Sequence, residues 1–252
     1  MRVSPNTTIR QIALHVPGST GIFQQEGIDF GRGAERTLEE ACVEADVSFD
    51  YLARRLESLP AGSDEQAPQN WQIEPLFLLT SHIVTQHHDY ARRELPRLAQ
   101  QAMTLAAAEG ENHPDLARVE VLLRAMIREF NLHMMREEQM IFPYIVQLEA
   151  ADREEEPPPQ PPVGPDENPL RNLMAEHDSA IEMLRELRYL TDNFSPPSDA
   201  DASMERLYNG LRAFEADMQE HIHLEDNVLF PRALDIESAC RPAVLVRPEE
   251  AL

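Results

Sequence analysis

The feature that most restricts the fold of this chain is an internal repeat of polar residues set inside apolar helical stripes. One copy reads His88-Asp89, then His133-Met134-Met135-Arg136-Glu137-Glu138, then Ile141-Phe142-Pro143. The other reads His177-Asp178, then His221-Ile222-His223-Leu224-Glu225-Asp226, then Leu229-Phe230-Pro231. The two histidines of a copy are 45 and 44 residues apart, and each second histidine precedes its glutamate by four. Matched spacing of this kind predicts two similar helix pairs, each presenting the same polar set.

The apolar residues around the repeat recur at helical period, which predicts an all-α fold. Four long segments emerge, at about 75–108, 114–150, 168–193 and 201–234, joined by breakers. Four amphipathic helices of similar length predict an antiparallel four-helix bundle. Residues i and i+4 share a helix face about 6 Å apart along the axis. His133 and Glu137 fall in the stripe of Leu123, Met126, Phe130, Met134 and Ile141. His221 and Glu225 fall in that of Leu207, Leu211, Phe214, Met218 and Leu229, and His177 in that of Leu170, Leu173, Met174, Ile181 and Leu184. Two carboxylates and at least three imidazoles therefore face one core.

The first helix leaves two candidates. By helical angle His87 lies nearer the stripe of Leu76, Leu79, Ile83 and Tyr90, whereas the match to His177-Asp178 favours His88. His82 faces away from this stripe, His223 lies nearly opposite His221, and His15 and His113 lie outside the repeat. Pro143 and Pro231 remove a helical hydrogen bond and predict a bend, with the adjacent phenylalanines as core.

Two glutamates facing each other in a core would force protonation of at least one unless positive charge compensates them. No arginine occupies these stripes, so a pair of divalent cations is the natural counter-charge. Imidazole and carboxylate suit iron, manganese or zinc.

Two further stretches set the organisation. Residues 60–70 (PAGSDEQAPQN) read as a linker, and 153–165 (REEEPPPQPPVGP) as an extended acidic loop, because proline fixes φ and lacks a donor. The expected domains are 1–59, a small helical unit, and 71–240, the bundle, with a tail at 241–252. In the first unit Thr37 and Glu40 fit a capping box, Ser48 a helix cap, and Gly27, Gly31 and Gly33 mark turns. The net charge of −23 argues against nucleic acid and against anionic membrane surfaces. Two distant cysteines, Cys42 and Cys240, give no disulfide framework. With no apolar signal region and no span of roughly 18 apolar residues, a cytoplasmic protein is expected.

At these residues the chain resembles a known family. The pattern His88…His133-x-x-x-Glu137…His177…His221-x-x-x-Glu225 is similar to the hemerythrin-like bundle. HMMREEQMIFP and HIHLEDNVLFPRA, with residues 8–59, look like the Repair of Iron Centres proteins, the ScdA-type iron–sulfur cluster repair family. The resemblance covers nearly the whole chain. It implies a non-haem site of two iron ions, bridged by oxo or hydroxo, with His88, His133, His177 and His221 as ligands and Glu137 and Glu225 bridging. It also implies protection against nitrosative and oxidative stress through iron–sulfur cluster repair, by iron donation or nitric oxide reduction. Implied partners are a small molecule, nitric oxide or dioxygen, and damaged iron–sulfur proteins, with the chain a monomer or homodimer. The alternative is a hemerythrin-like carrier or sensor of dioxygen or nitric oxide without catalysis, for which a fifth core histidine, His82 or His87, would be the mark. The sequence leaves open whether the chain is an enzyme. One departure stands out: the family's N-terminal unit usually carries adjacent cysteines before a glycine, and here residues 27–33 read Gly-Ile-Asp-Phe-Gly-Arg-Gly.

Overall fold

The computed structural model describes residues 3–16, 18–59, 70–162 and 169–240. The expected linker at 60–70, apart from Asn70, and the expected tail from residue 241 lie outside the described residues.

The N-terminal unit consists of four short helices, α1 (Ile9–His15), α2 (Ser19–Glu26), α3 (Leu38–Glu44) and α4 (Phe49–Glu57), with a 3₁₀ turn at Arg32–Glu35. Local signals set their starts. Thr37 and Glu40 form the expected capping box, and Thr8 with Gln11 forms a second. Each box satisfies backbone donors that the first helical turn leaves orphaned. Ser48 occupies the cap position of α4 without a side-chain hydrogen bond. Gly27 ends α2 at φ +70, a conformation that glycine adopts at little cost. Ile9, Ile12, Phe23, Phe30, Leu38, Leu52 and Leu56 form the core of this unit.

The bundle follows. Helix α5 runs through Leu76–His82, a π-helical turn at Ile83–His88, and Asp89–Glu109. Helix α6 runs through Asp115–Arg136, a π turn at Glu137–Ile141, and Phe142–Glu154. Helix α7 spans Pro169–Leu190. Helix α8 runs through Ala202–His223, a π turn at Leu224–Leu229, and Phe230–Cys240. Around the bundle α5 packs on α6, α6 on α7, and α8 on α5 and α7. Among the described residues there is no strand, only an isolated bridge between Thr8 and Thr37. No described helix is long and apolar enough to cross a membrane.

Two local differences from the sequence reading have physical causes. The acidic loop was expected from residue 153, but α6 continues through Glu154 and closes at Glu155 with φ +55. Proline restricts only itself and the residue before it, and the first proline here is Pro157. The effect of Pro143 and Pro231 takes the form of a π turn just before each. Neither proline can donate to the carbonyl four residues back. The preceding Phe142 and Phe230 N–H groups donate instead to the Glu137 and Glu225 carbonyls, five residues back. The π turn in α5, where the Asp89 N–H donates to the Val84 carbonyl, has no adjacent proline, so proline is not its only cause.

The apolar core of the bundle is in two parts. One contains Leu95, Leu98, Leu123, Met126, Leu187, Leu211 and Phe214; the other contains Leu76, Leu79, Ile145, Leu173, Leu229 and Phe230. A layer of buried histidine and acidic side chains lies between them, at the level of the three π turns.

Candidate metal centre

Helix periodicity and packing deliver four histidines and two glutamates to one point. The structure forms two groups, His88, Glu137, His221 and Glu225 on one side and His133, Glu137, His177 and Glu225 on the other. Within each group the donor atoms lie within 4.8 Å of one another, and every residue is buried. The two glutamates belong to both groups.

Each glutamate faces the groups with different oxygens. Glu137 Oε1 is 3.1 Å from His133 Nε2, and its Oε2 is 3.4 Å from His88 Nε2. Glu225 Oε1 is 3.0 Å from His221 Nε2, and its Oε2 is 3.1 Å from His177 Nε2. These are not directed hydrogen bonds: all four carboxylate oxygens are buried without a hydrogen-bond partner. Opposed imidazoles also approach closely, His88 Nε2 to His221 Nε2 at 3.2 Å and His133 Nε2 to His177 Nε2 at 3.1 Å. Buried polar atoms left this way are costly, and they are the atoms that ligate metals. The donor set, the shared carboxylates and the orphaned oxygens together fit a metal site.

The other ring nitrogens are held from behind. His88 Nδ1 donates to Glu138, His133 Nδ1 to Glu176 and His177 Nδ1 to Asp226, at 2.7, 2.9 and 2.9 Å. Such partners fix the tautomer that leaves Nε2 free as a ligand and raise its basicity. Arg92 pairs with Glu138 at 2.8 Å, and Arg136 pairs with Glu176. His221 is the exception, with a buried Nδ1 that has no partner. Phe142 stacks on His88 at 5.7 Å and Phe230 on His177 at 6.2 Å, so the phenylalanines of the repeat pack against rings of the centre itself.

Without cations, protons compensate the carboxylates. Burial lowers the His133 pKa, but Glu137 and Glu176 outweigh it and raise it to about 9. Burial likewise opposes protonation of His177, yet Asp226 and Glu225 hold it well above its ordinary value. His88 is raised in the same way by Glu225, Glu137 and Glu138 against burial. At His221 burial prevails and the pKa falls. Burial would raise Glu225, but His221, His177 and His88 hold it well below the carboxylate range.

Of His87 and His88, the structure places His88 in the cluster and His87 outside it. The His87 ring lies parallel to that of His221 at 5.6 Å, and its Nδ1 donates to Asp217 at 3.0 Å. His82 packs on Trp71 and His87, outside both groups. Sequence reasoning missed Glu138, Asp226 and Glu176. The signal was present, because an acid follows the core glutamate in both copies. That second acid, not the Asp89 or Asp178 that follows the histidine, accepts from Nδ1 of His88 and of His177, while Glu176 accepts from His133.

The hemerythrin HHE cation binding domain family matches residues 79–233, and a domain of unknown function, ScdA_N (DUF542), matches residues 5–60. The chain is 33% identical over 229 residues to the iron–sulfur cluster repair protein YtfE of Yersinia pseudotuberculosis serotype IB (strain PB1/+), covering 91% of this chain and 97% of that one. It is 32% identical over 225 residues to the protein of the same name from Salmonella paratyphi B (strain ATCC BAA-1250 / SPB7), covering 89% and 94%. The chain belongs to the hemerythrin-like iron–sulfur cluster repair family. Its buried histidine and glutamate groups suit the metal site that the family's name implies.

Phe30, within the cysteine-free stretch 27–33, is fully buried and sits edge-on to His223 at 5.8 Å. Asn227 donates to the carbonyls of Phe30 and Gly31, accepts from Arg10 at 2.8 Å, and contacts His223 Nδ1 at 3.1 Å. This contact ties the N-terminal unit to α8 at the residue that follows Glu225 and Asp226 in sequence. Burial holds the His223 pKa down at about 4, so His223 is a neutral packing residue. Cys42 is buried in the core of the N-terminal unit.

Proposed function

We propose that this chain is a di-iron protein that protects against nitrosative and oxidative stress by serving iron–sulfur cluster repair. His88 and His221 would hold one iron, His133 and His177 the other, and Glu137 and Glu225 would bridge them. The reading rests on one observation: two buried carboxylates, each turning a separate unpaired oxygen toward a separate pair of imidazoles. The curated relatives named for cluster repair, matched along nearly their whole length, support the biological role.

A pair of iron ions supplies open coordination positions and one-electron chemistry for small ligands. The chain supplies the rest. Glu138, Glu176 and Asp226 keep Nδ1–H on three imidazoles and leave Nε2 to the metal. Phe142, Phe230 and the flanking apolar cores limit water. A cavity of about 250 Å³ reaches His133, His177 and His221 between α6 and α7, walled by Phe130, Met134, Met183 and Met218. Its apolar wall suits a diatomic molecule such as nitric oxide better than a charged substrate. Either nitric oxide reduction or iron donation would draw on these residues. The carrier reading is weaker, because among the described residues no fifth histidine joins either group.

The test is metal analysis of anaerobically purified chain with Mössbauer and optical spectra, before and after nitric oxide. Two irons per chain and a nitric-oxide-dependent spectral change are expected. Metal content well below two irons per chain would sink the reading, and a reversible oxygenation band would favour the carrier.

A further inference from the structure

A second cluster of metal-binding side chains lies on the outer side of His221, and the centre described above does not use it. His82, His87, Asp217 and Glu220 line an open cleft of about 510 Å³ between α5 and α8. His87 is only 6% exposed, and its Nε2 is buried without a partner. Asp217 receives His87 Nδ1 with one oxygen, while its Oδ2 is also buried and unpaired. The His82 ring stands edge-on to His87 at 5.7 Å. Burial, together with His87, lowers the His82 pKa and favours the neutral imidazole that can bind a cation. Glu220 is half-buried. Arg93, on the rim, is engaged by Glu94 and by the Tyr90 ring.

The internal repeat is broken at this place. In α7 the residue before the histidine is Glu176, which accepts from His133 Nδ1. In α5 the residue before His88 is His87, which stacks on His221 and leaves His221 Nδ1 without a partner. Where the repeat calls for a helper acid stands an imidazole whose free nitrogen has no partner among the described residues. One ring therefore separates the cleft from the buried pair. The cleft donors are not among the groups that converge within 4.8 Å. A cation there would keep water in its shell and exchange readily, and the chain's net charge of −23 would draw it in.

We propose that this cleft is a third, weak divalent-cation site through which metal passes between solvent and the His88–His221 end of the buried pair. Passage rests on the two-metal reading of the centre; the cation site itself does not. The full chain, freed of metal, is titrated with Co²⁺ by calorimetry and visible absorption. Two tight equivalents and a third, weaker one are expected. Asp217→Asn should abolish the third and slow removal of the tight pair by EDTA severalfold, because the cation would lose its way out through the cleft. The tight stoichiometry should stay at two. His82→Ala should weaken the third equivalent as well, and a thermal melt confirms that both variants fold. No third equivalent in the unaltered chain, or a third equivalent and an extraction rate unmoved by both variants, overturns the proposal. Fewer than two tight equivalents would instead remove the two-metal reading, while the weak equivalent and its loss in Asp217→Asn still score the cleft.

Discussion

If protons stand in for cations at the centre, metal binding must expel them. At pH 7 His133, with a pKa of about 9, is protonated, and His177 and His88 are shifted in the same direction. Each must free Nε2 to ligate, while Nδ1–H stays with its carboxylate. Loading the pair at pH 7 should therefore release at least one proton. The overall binding constant should rise roughly tenfold or more per pH unit near neutrality. The sign for stability follows. An imidazole whose pKa is raised by folding stabilises the fold fully below its ordinary value near 6.5, and that stabilisation is lost as pH rises through the folded value. For His133 the difference between 6.5 and about 9 is worth about 3 kcal/mol. The metal-free chain should weaken between pH 6.5 and 9, while the metal-loaded chain should hold or gain stability there. Calorimetry of Co²⁺ binding in buffers of different ionisation enthalpy gives the proton count, and urea titrations across pH give the stabilities. Release of less than one proton per metal pair, or a metal-free chain equally stable at pH 6.5 and 9, would refute the reasoning.

Three other perturbations separate the roles assigned above. Asp226→Asn weakens the hold on His177 Nδ1 and should lower metal affinity about 10- to 100-fold with the fold intact, read by competition with a chelator. Replacing Glu137 and Glu225 together by alanine should abolish metal binding and lower the melting temperature of chain purified with metal, because a ligand at a thousand times its Kd is worth about 4 kcal/mol. A higher melting temperature would mean that the buried charges serve no metal. Asn227→Ala removes the clamp on residues 30 and 31 and should destabilise the chain by about 2 kcal/mol in denaturant, since it leaves buried carbonyls unpaired. A change within about 0.5 kcal/mol would show that water replaces the amide without cost.

How much of this was legible in the chain follows from the range of each interaction. Periodicity and proline placement are local, so the four bundle helices and the stripe positions of His133, Glu137, His177, His221 and Glu225 could be read directly. The repeat carried His88 as well, by analogy with His177, and the resemblance supplied the family. Tertiary structure decided the rest. A helical wheel assumes an even turn, and the π turn at Ile83–His88 shifts the register of α5. That is why the angle argument favoured His87 while the packed helix turns His88 inward. Glu138, Glu176 and Asp226 sit next to core positions in sequence, but their contacts with histidines 43 to 50 residues away exist only once helices pack. Likewise, nothing local says that Phe30 and Gly31 should meet Asn227 nearly 200 residues on. The sequence by itself determined which side chains face inward, because that is a property of one helix. Which nitrogen meets which carboxylate, and which histidine is left facing the cleft, depends on how four helices are set against one another.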